Sequence, residues 1–168
     1  MKQLILVRHA KSSWQQPELD DFERPLNHRG ERDAPVMGER LARSGLRPEL
    51  ILSSPARRAR ATAEVLADRL GLAPAQVRFE AGIYEAAPED LLRLIRSREE
   101  SLGRLLLVGH NPGLLELGQL LAPEAPDRFP TCAVLALAFE VASWRQIAPR
   151  GGRLLWYDFP KNPPPAPP

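Results

Sequence analysis

The sequence predicts a layered α/β protein built on a mostly parallel sheet. Short apolar runs alternate along the chain with longer amphipathic segments, a pattern typical of strands joined by helices. The length of 168 residues fits one domain, and a content of 43% hydrophobic and 26% charged residues is typical of a chain with a sizeable core. We therefore expect a single domain, 1–160, followed by a disordered Pro-rich tail, 161–168. A Pro-rich docking ligand is the alternative interpretation of that tail.

Apolar runs bounded by polar or turn residues are the predicted strands. The run QLILV is expected to be buried on both faces of the sheet, and LLLV, closed by GHNPG, is the clearest strand. The second run ends at Ser53-Ser54-Pro55, and Gly151-Gly152 forms a turn before the last run. The predicted strands are 3–7, 50–52, 105–108, 133–140 and 153–158.

Two of the predicted helices have clear amphipathic spacing. In 56–70, alanine and leucine recur every three or four residues, and Gly71 follows where a C-terminal cap is expected. The segment 88–98 opens on Pro-Glu-Asp, which suits the first turn of a helix.

The other two predicted helices depend on residues at or near their ends. Asn111 is expected to cap a short helix over 112–121. The segment 27–44 contains Pro35, which cannot donate an interior hydrogen bond. That helix is therefore expected either to start near Asp33 or to kink at Pro35.

Composition excludes several classes of protein. Cys132 is the only cysteine, so the sequence allows neither an intrachain disulfide framework nor a Cys-rich zinc site. The apolar runs are far shorter than the ~20 residues that span a bilayer, and the start of the chain, MKQLILVRHA, has an apolar core too short for a signal peptide. We therefore expect a cytoplasmic protein without a membrane partner. The net charge of +2, carried mostly by arginine, is compatible with nucleic acid, an acidic substrate or biased codon usage, and does not decide among them.

Two histidines follow predicted strands directly. His9 comes after LILV-Arg and His110 after LLLV-Gly, whereas His28 is expected to be a surface or core residue. In a parallel α/β sheet, ligands bind in the crevice at the carboxyl ends of the strands. If these two strands are neighbours, His9 and His110 meet in one pocket.

Arginines are predicted at the same edge of the sheet. Arg8 precedes His9, and Arg57, Arg58 and Arg60 follow the turn after the second strand, where a helix N-terminus also attracts anions. Arginines beside two histidines indicate phosphate chemistry. Other schemes lack their signatures, because the chain has no GxxxxGK[ST] loop, no HxH or HExxH pair and no GxSxG elbow, and Cys132 is followed by the apolar run AVLALAF with no arginine a few residues on.

Three motifs in this order, LVRHAKSSW, SSPARRARATAE and LLVGHNPG, resemble those of the histidine phosphatase superfamily, the phosphoglycerate-mutase-like enzymes. The short length, the RPL after the first motif and the segment IYEAAPEDLL are most similar to SixA-type phosphohistidine phosphatases. The resemblance spans about residues 1–158. It implies a three-layer α/β/α fold and phosphoryl transfer through a phosphohistidine intermediate, with no metal and no organic cofactor.

The resemblance implies a role for each matching residue. His9 is the expected nucleophile, and Arg8 the first phosphate clamp. The pattern SPxxRAxxT selects Arg58 as the second clamp, and His110 matches the histidine that holds the charge of the transferred phosphoryl group.

Three further residues follow from the same resemblance. Glu85 is the nearest match to the general acid, and Arg24 matches a stretch that brings an additional side chain over the phosphate. Ala10 stands where the family commonly has glycine, which is tolerable unless the residue needs a positive φ.

The expected function is hydrolysis of phosphohistidine on a phosphorylated protein. The alternative within the superfamily is a phosphomonoesterase that acts on a small phosphorylated substrate. A non-catalytic phosphate or nucleic-acid binding module would need the arginines, but not a histidine after Arg8 and another after Gly109. No nucleic-acid partner is therefore expected.

Overall fold

The computed structural model describes residues 1–164 and contains one six-stranded mixed sheet. The order across the sheet is β3-β2-β4-β1-β5-β6, with β1 to β4 parallel and β5 antiparallel to both β1 and β6. The strands are β1 (Lys2–Arg8), β2 (Leu50–Ser53), β3 (Val77–Phe79), β4 (Arg104–Gly109), β5 (Val134–Phe139) and β6 (Gly152–Asp158). The predicted α/β class with a mostly parallel sheet is confirmed.

Four α-helices connect and cover the strands. They are α1 (His28–Ser44), α2 (Arg57–Leu70), α3 (Pro88–Arg96) and α4 (Gly113–Leu121). Single 3₁₀ turns lie at Asp21–Glu23, Pro74–Gln76, Ala81–Ile83 and Trp144–Gln146.

The helices pack on both faces of the sheet, which makes the fold three-layered as predicted. Along β1, Leu4 and Leu6 belong to the core cluster that contains α3 and α4, whereas Ile5 and Val7 belong to the cluster that contains α1 and α2. Successive side chains of a strand point to opposite faces, so a strand covered on both sides is apolar throughout. This explains the continuous run at the start of the chain.

Helix α1 begins several residues before Asp33, one of its two expected features being a start there. The Asn27 side chain accepts a hydrogen bond from the Gly30 N–H at 2.9 Å and caps a helix that starts at His28, so a start near Asp33 is wrong. Pro35 lies inside this helix and cannot donate to the carbonyl four residues back. The buried face of α1, with Met37 at its centre, stabilises the helix despite that missing bond.

The expected cap of α4 is also wrong. The Asn111 side chain donates to the Phe129 carbonyl at 2.8 Å, and α4 begins two residues later, at Gly113, without a side-chain cap. Asn111 therefore ties the loop after β4 to the loop before β5.

The chain after β6 folds back on the end of that strand. Asn162 donates from its side chain to Asp158 at 2.9 Å and from its backbone to the Phe159 carbonyl at 3.0 Å. The boundary predicted at residue 160 stays a prediction, and residues 165–168 of the predicted tail lie outside the described residues. Within 1–164, no helix is both long and apolar enough to cross a membrane.

Candidate active site

The two histidines meet because β1 and β4 are adjacent and parallel. In their register Arg8 pairs with Gly109, and the His9 N–H donates to the Gly109 carbonyl at 3.1 Å. His9 and His110 therefore leave the sheet side by side, with ring centroids 5.1 Å apart. The condition set by the sequence, that the two strands be neighbours, is met.

The backbone of the next residue orients the His9 ring. His9 Nδ1 lies 2.7 Å from the Ala10 carbonyl oxygen, which can only accept, so Nδ1 carries the hydrogen and Nε2 keeps its lone pair. Burial lowers the pKa of His9 to about 3, and the charges of Arg58 and Arg8 act in the same direction. His9 is thus a neutral imidazole at pH 7, with its unprotonated Nε2 facing Arg58 Nε at 3.4 Å.

Thr62 holds Ala10 in place. The Ala10 N–H donates to Thr62 Oγ1 at 2.9 Å, and the same hydroxyl donates to the Arg58 carbonyl at 2.8 Å. Both Ala10 and Thr62 are fully buried. The hydroxyl therefore joins the end of β1, which carries His9, to the first turn of α2, which carries Arg58. Ala10 has no positive φ, so glycine is not required at this position.

Of the three arginines at the start of α2, only Arg58 is buried in the pocket. Its guanidinium contacts both histidines at 3.4 Å, whereas the side chain of Arg57 is exposed. Arg60 is also exposed and lies over the Phe79 ring at 4.0 Å. Successive helical residues are about 100° apart, which is why three nearby arginines diverge.

Arg8 directly precedes His9 and is half-buried. Its Nη1 donates to the Phe129 carbonyl at 3.2 Å, while its buried Nε has no hydrogen-bond partner within residues 1–164. Burial and the neighbouring Arg58 guanidinium lower the pKa of Arg8. An anion in the pocket would favour the charged guanidinium and so raise the pKa of Arg8 again.

His110 is neutral as well. Its Nδ1 faces the Arg58 guanidinium, which can only donate, so the hydrogen is on Nε2. Nε2 therefore donates to Ser54 Oγ at 2.8 Å. Burial and the Arg58 charge lower the pKa of His110 to about 4. A bound phosphoryl group would raise that pKa again, because an opposite charge favours the protonated ring.

Arg58 and Arg24 contact an anionic side chain of the protein itself, that of Asp21, which the sequence did not point to. Its carboxylate accepts from Arg58 at 3.0 Å, from Arg24 at 3.1 Å and from the Tyr84 hydroxyl at 2.7 Å. Partial burial would raise the pKa of Asp21, but these three hydrogen bonds lower it to about 2. Asp21 is ionised and orients Arg58, and the only signal in the sequence is its place three residues before Arg24.

Arg24 joins this cluster through its contacts. It is buried, donates to Ser12 Oγ at 2.8 Å as well as to Asp21, and stacks on the Trp14 ring at 3.5 Å. The structure thus places Arg24 beside the site, with its guanidinium held by neighbours on several sides.

Glu85 is exposed, and within residues 1–164 its carboxylate forms no hydrogen bond or ion pair with the residues around His9. Its neighbour Tyr84 is the residue that contacts the site, with its ring 5.5 Å from that of His110. Burial and the Asp21 carboxylate raise the pKa of Tyr84 to about 12, so the phenol keeps its proton. The region described also holds no cluster of three or more His, Cys, Asp or Glu suited to a metal ion.

Comparison with known proteins agrees with the geometry. Residues 4–110 match the histidine phosphatase superfamily (branch 1), and the chain belongs to this family. An uncharacterised chloroplastic protein of Arabidopsis thaliana is 33% identical over a 163-residue alignment, with 92% of this chain and 74% of that protein covered.

Solved structures show the same likeness. The SixA protein of Agrobacterium tumefaciens is 29% identical, with a TM-score of 0.78 over 95% of this chain and 98% of that chain. The protein histidine phosphatase SixA in complex with tungstate shares the fold at 24% identity, with a TM-score of 0.77 over 95% of this chain and 98% of that chain.

Removal of the Thr62 hydroxyl, which bridges Ala10 and Arg58, should reduce activity while the protein stays folded. Thr62→Val keeps the side-chain volume but removes both hydrogen bonds, so Ala10 and the His9 ring that its carbonyl orients should shift. The kcat on para-nitrophenyl phosphate should then fall roughly tenfold to a hundredfold, with a smaller change in KM. Thr62→Ser retains the hydroxyl and should stay within a few fold of wild type. Circular dichroism checks that both variants fold, and wild-type kcat in Thr62→Val would contradict this role.

The depressed pKa of His9 predicts a pH dependence of stability. Between about pH 6.5 and 4 the unfolded chain protonates this histidine and the folded chain does not, so the free energy of unfolding should fall as the pH falls. His9→Asn keeps an N–H near the Ala10 carbonyl but cannot titrate, and should remove up to about 1.4 kcal/mol per pH unit of that slope. Urea denaturation at several pH values measures both proteins, and equal slopes would contradict the assignment.

Proposed function

We propose that the protein is a phosphohistidine phosphatase that acts on a phosphorylated protein through a covalent intermediate on His9. The observation that carries the proposal is the state of His9, which is neutral, with Nδ1 bonded to a carbonyl and the Nε2 lone pair facing a guanidinium. A residue that only bound phosphate would do so better as a charged donor. A lone pair held among arginines suits nucleophilic attack on phosphorus.

The first chemical step transfers the phosphoryl group to the enzyme. His9 Nε2 forms a bond to phosphorus while the bond from phosphorus to the leaving nitrogen of the substrate breaks, and that nitrogen takes up a proton from the solvent. Arg8 and Arg58 flank the nucleophile and would neutralise the equatorial oxygens, and His110 would add a third donor once it is protonated.

The second step hydrolyses the phosphoenzyme. Water attacks phosphorus, the bond to His9 Nε2 breaks, and inorganic phosphate leaves with the two protons of the water shared between it and the solvent. The carbonyl of Ala10 keeps Nδ1 protonated throughout, so the imidazole leaves as a neutral ring ready for another cycle.

The state of the acidic groups favours a P–N substrate over a phosphate ester. An alkoxide leaving group needs a strong general acid, but Asp21 is ionised and the Tyr84 phenol keeps its proton to high pH. Glu85 remains the predicted acid, on an exposed site next to Tyr84. An imidazole leaves more readily than an alkoxide and makes a smaller demand on that residue.

The comparisons support the same substrate class. The tungstate-bound relative is described as a protein histidine phosphatase, and the chain matches SixA structures over nearly their whole length. Only about thirty residues separate Gly71 from Arg104, which leaves little chain for a lid and suits a bulky substrate. A cytoplasmic location is part of the proposal.

The test compares a phosphohistidine peptide, a phosphoserine peptide and para-nitrophenyl phosphate as substrates, each with and without EDTA. We expect the phosphohistidine peptide to have the highest kcat/KM and EDTA to change nothing. Arg58→Ala should lower kcat/KM about a hundredfold or more, and Arg58→Lys should restore little, because an ammonium cannot reproduce the guanidinium fork.

Arg57→Ala and Arg60→Ala are matched controls, since both side chains are exposed on the same turn of α2, and each should stay within a few fold of wild type. A preference for the phosphoserine peptide would favour a phosphomonoesterase instead. Phosphate binding without turnover of any substrate would indicate a binding module.

A further inference from the structure

An open groove adjoins the candidate active site and has no role in the steps above. It is a cavity of about 800 Å³ that starts at Arg8 and Asn111, the residues next to His9 and His110, and extends to the end of β6. Its volume falls in the range of sites that hold drug-sized ligands. We name it the cationic groove, and the lining residues that matter here are Arg8, Arg29, Asn111, Arg128, Tyr157 and Lys161.

The groove carries an excess of positive charge. Four cationic side chains line it against one carboxylate, that of Asp127. Arg29 is within 3.5 Å of Asp33, but Arg128 and Lys161 form no ion pair with a carboxylate of residues 1–164. Because the whole chain has a net charge of only +2, this is a local concentration of charge.

Aromatic rings form a fixed floor under these charges. Tyr157 stacks on Phe129 with ring centroids 6.3 Å apart and packs against Phe159 at 5.6 Å. The Tyr157 hydroxyl donates to the Arg128 carbonyl at 2.6 Å, which ties the loop before β5 to strand β6. The floor can therefore pack against apolar parts of a ligand while Arg128 stays at the rim.

The same loop connects the groove to the candidate active site. The Phe129 carbonyl accepts from Arg8 at 3.2 Å and from Asn111 at 2.8 Å. Arg8 is thus shared, with one side towards His9 and the other lining the groove. A substrate whose phosphoryl group lies at His9 would extend over Arg8 into the groove.

We propose that the cationic groove binds an acidic segment of the phosphorylated protein, next to its phosphohistidine. This rests on the proposed function and specifies its substrate further. A phosphohistidine side chain alone is too small to fill the groove, and the exposed side chains of Arg128 and Lys161 suit carboxylates displayed along a peptide. The apolar floor offers a surface for the aliphatic parts of such a segment.

The experiment compares two phosphohistidine peptides that differ only in flanking residues, glutamate in one and glutamine in the other. For the wild-type protein we expect kcat/KM to favour the glutamate peptide by roughly fivefold to tenfold at low salt, from two exposed ion pairs, and less at high salt. In the double variant Arg128→Glu, Lys161→Glu that ratio should fall to one or below.

Arg145→Glu is the matched control, an exposed arginine paired with Glu100 and absent from the groove lining, and it should keep the wild-type ratio. Equal kcat/KM for the two peptides with wild-type protein, or an unchanged ratio in the double variant, would overturn the role of the groove. Turnover of para-nitrophenyl phosphate with no hydrolysis of either peptide would overturn the proposed function itself.

Discussion

The parallel pairing of β1 with β4 is the constraint on which the site depends. The register that pairs Arg8 with Gly109 brings two histidines, about a hundred residues apart in sequence, to ring centroids 5.1 Å apart. A shift of one residue would exchange Leu4 and Leu6 with Ile5 and Val7 between the two core clusters, so the packing of both clusters favours the register that sets the distance between His9 and His110. The register of β1 with β4 thus determines both the packing of the core and the geometry of the site.

Around this pair the protein keeps two imidazoles neutral among arginines. Burial and the guanidinium charges lower the pKa values of both rings, and the Ala10 carbonyl and the Arg58 guanidinium fix which nitrogen of each ring carries the hydrogen. The ionised carboxylate of Asp21 partly balances the charge and holds Arg58 in place. The pocket is therefore oriented without a ligand, which would reduce the reorganisation needed during the proposed phosphoryl transfer.

The sequence predicted the parts of the molecule that are encoded by local pattern. The buried strands are continuous apolar runs and helix α2 has amphipathic spacing, and the motifs placed His9 and Arg58 at the ends of such elements. Strand β3 was missed because three residues are too few to show a pattern. The sequence left two starts open for α1, because Pro35 alone does not show whether the helix extends to the cap at Asn27.

Local sequence patterns also do not show which distant segments of the chain come into contact. Asp21 begins a single 3₁₀ turn that is too short to show periodicity, and its role depends on Arg58 and Tyr84, which lie 37 and 63 residues away in sequence. Thr62 stood in a recognised motif, yet its bond to Ala10 became visible only when α2 was placed beside β1.

The measurement that tests the account most directly is the capture of the phosphoenzyme. Rapid quenching of the protein with radiolabelled phosphoramidate, followed by peptide mapping, should find one phosphoryl group on His9 that is labile in acid and stable in base. His9→Asn should carry none while showing a folded circular dichroism spectrum. Label on another residue, or unchanged turnover in His9→Asn, would contradict the covalent mechanism and with it the role assigned to the pairing of β1 and β4.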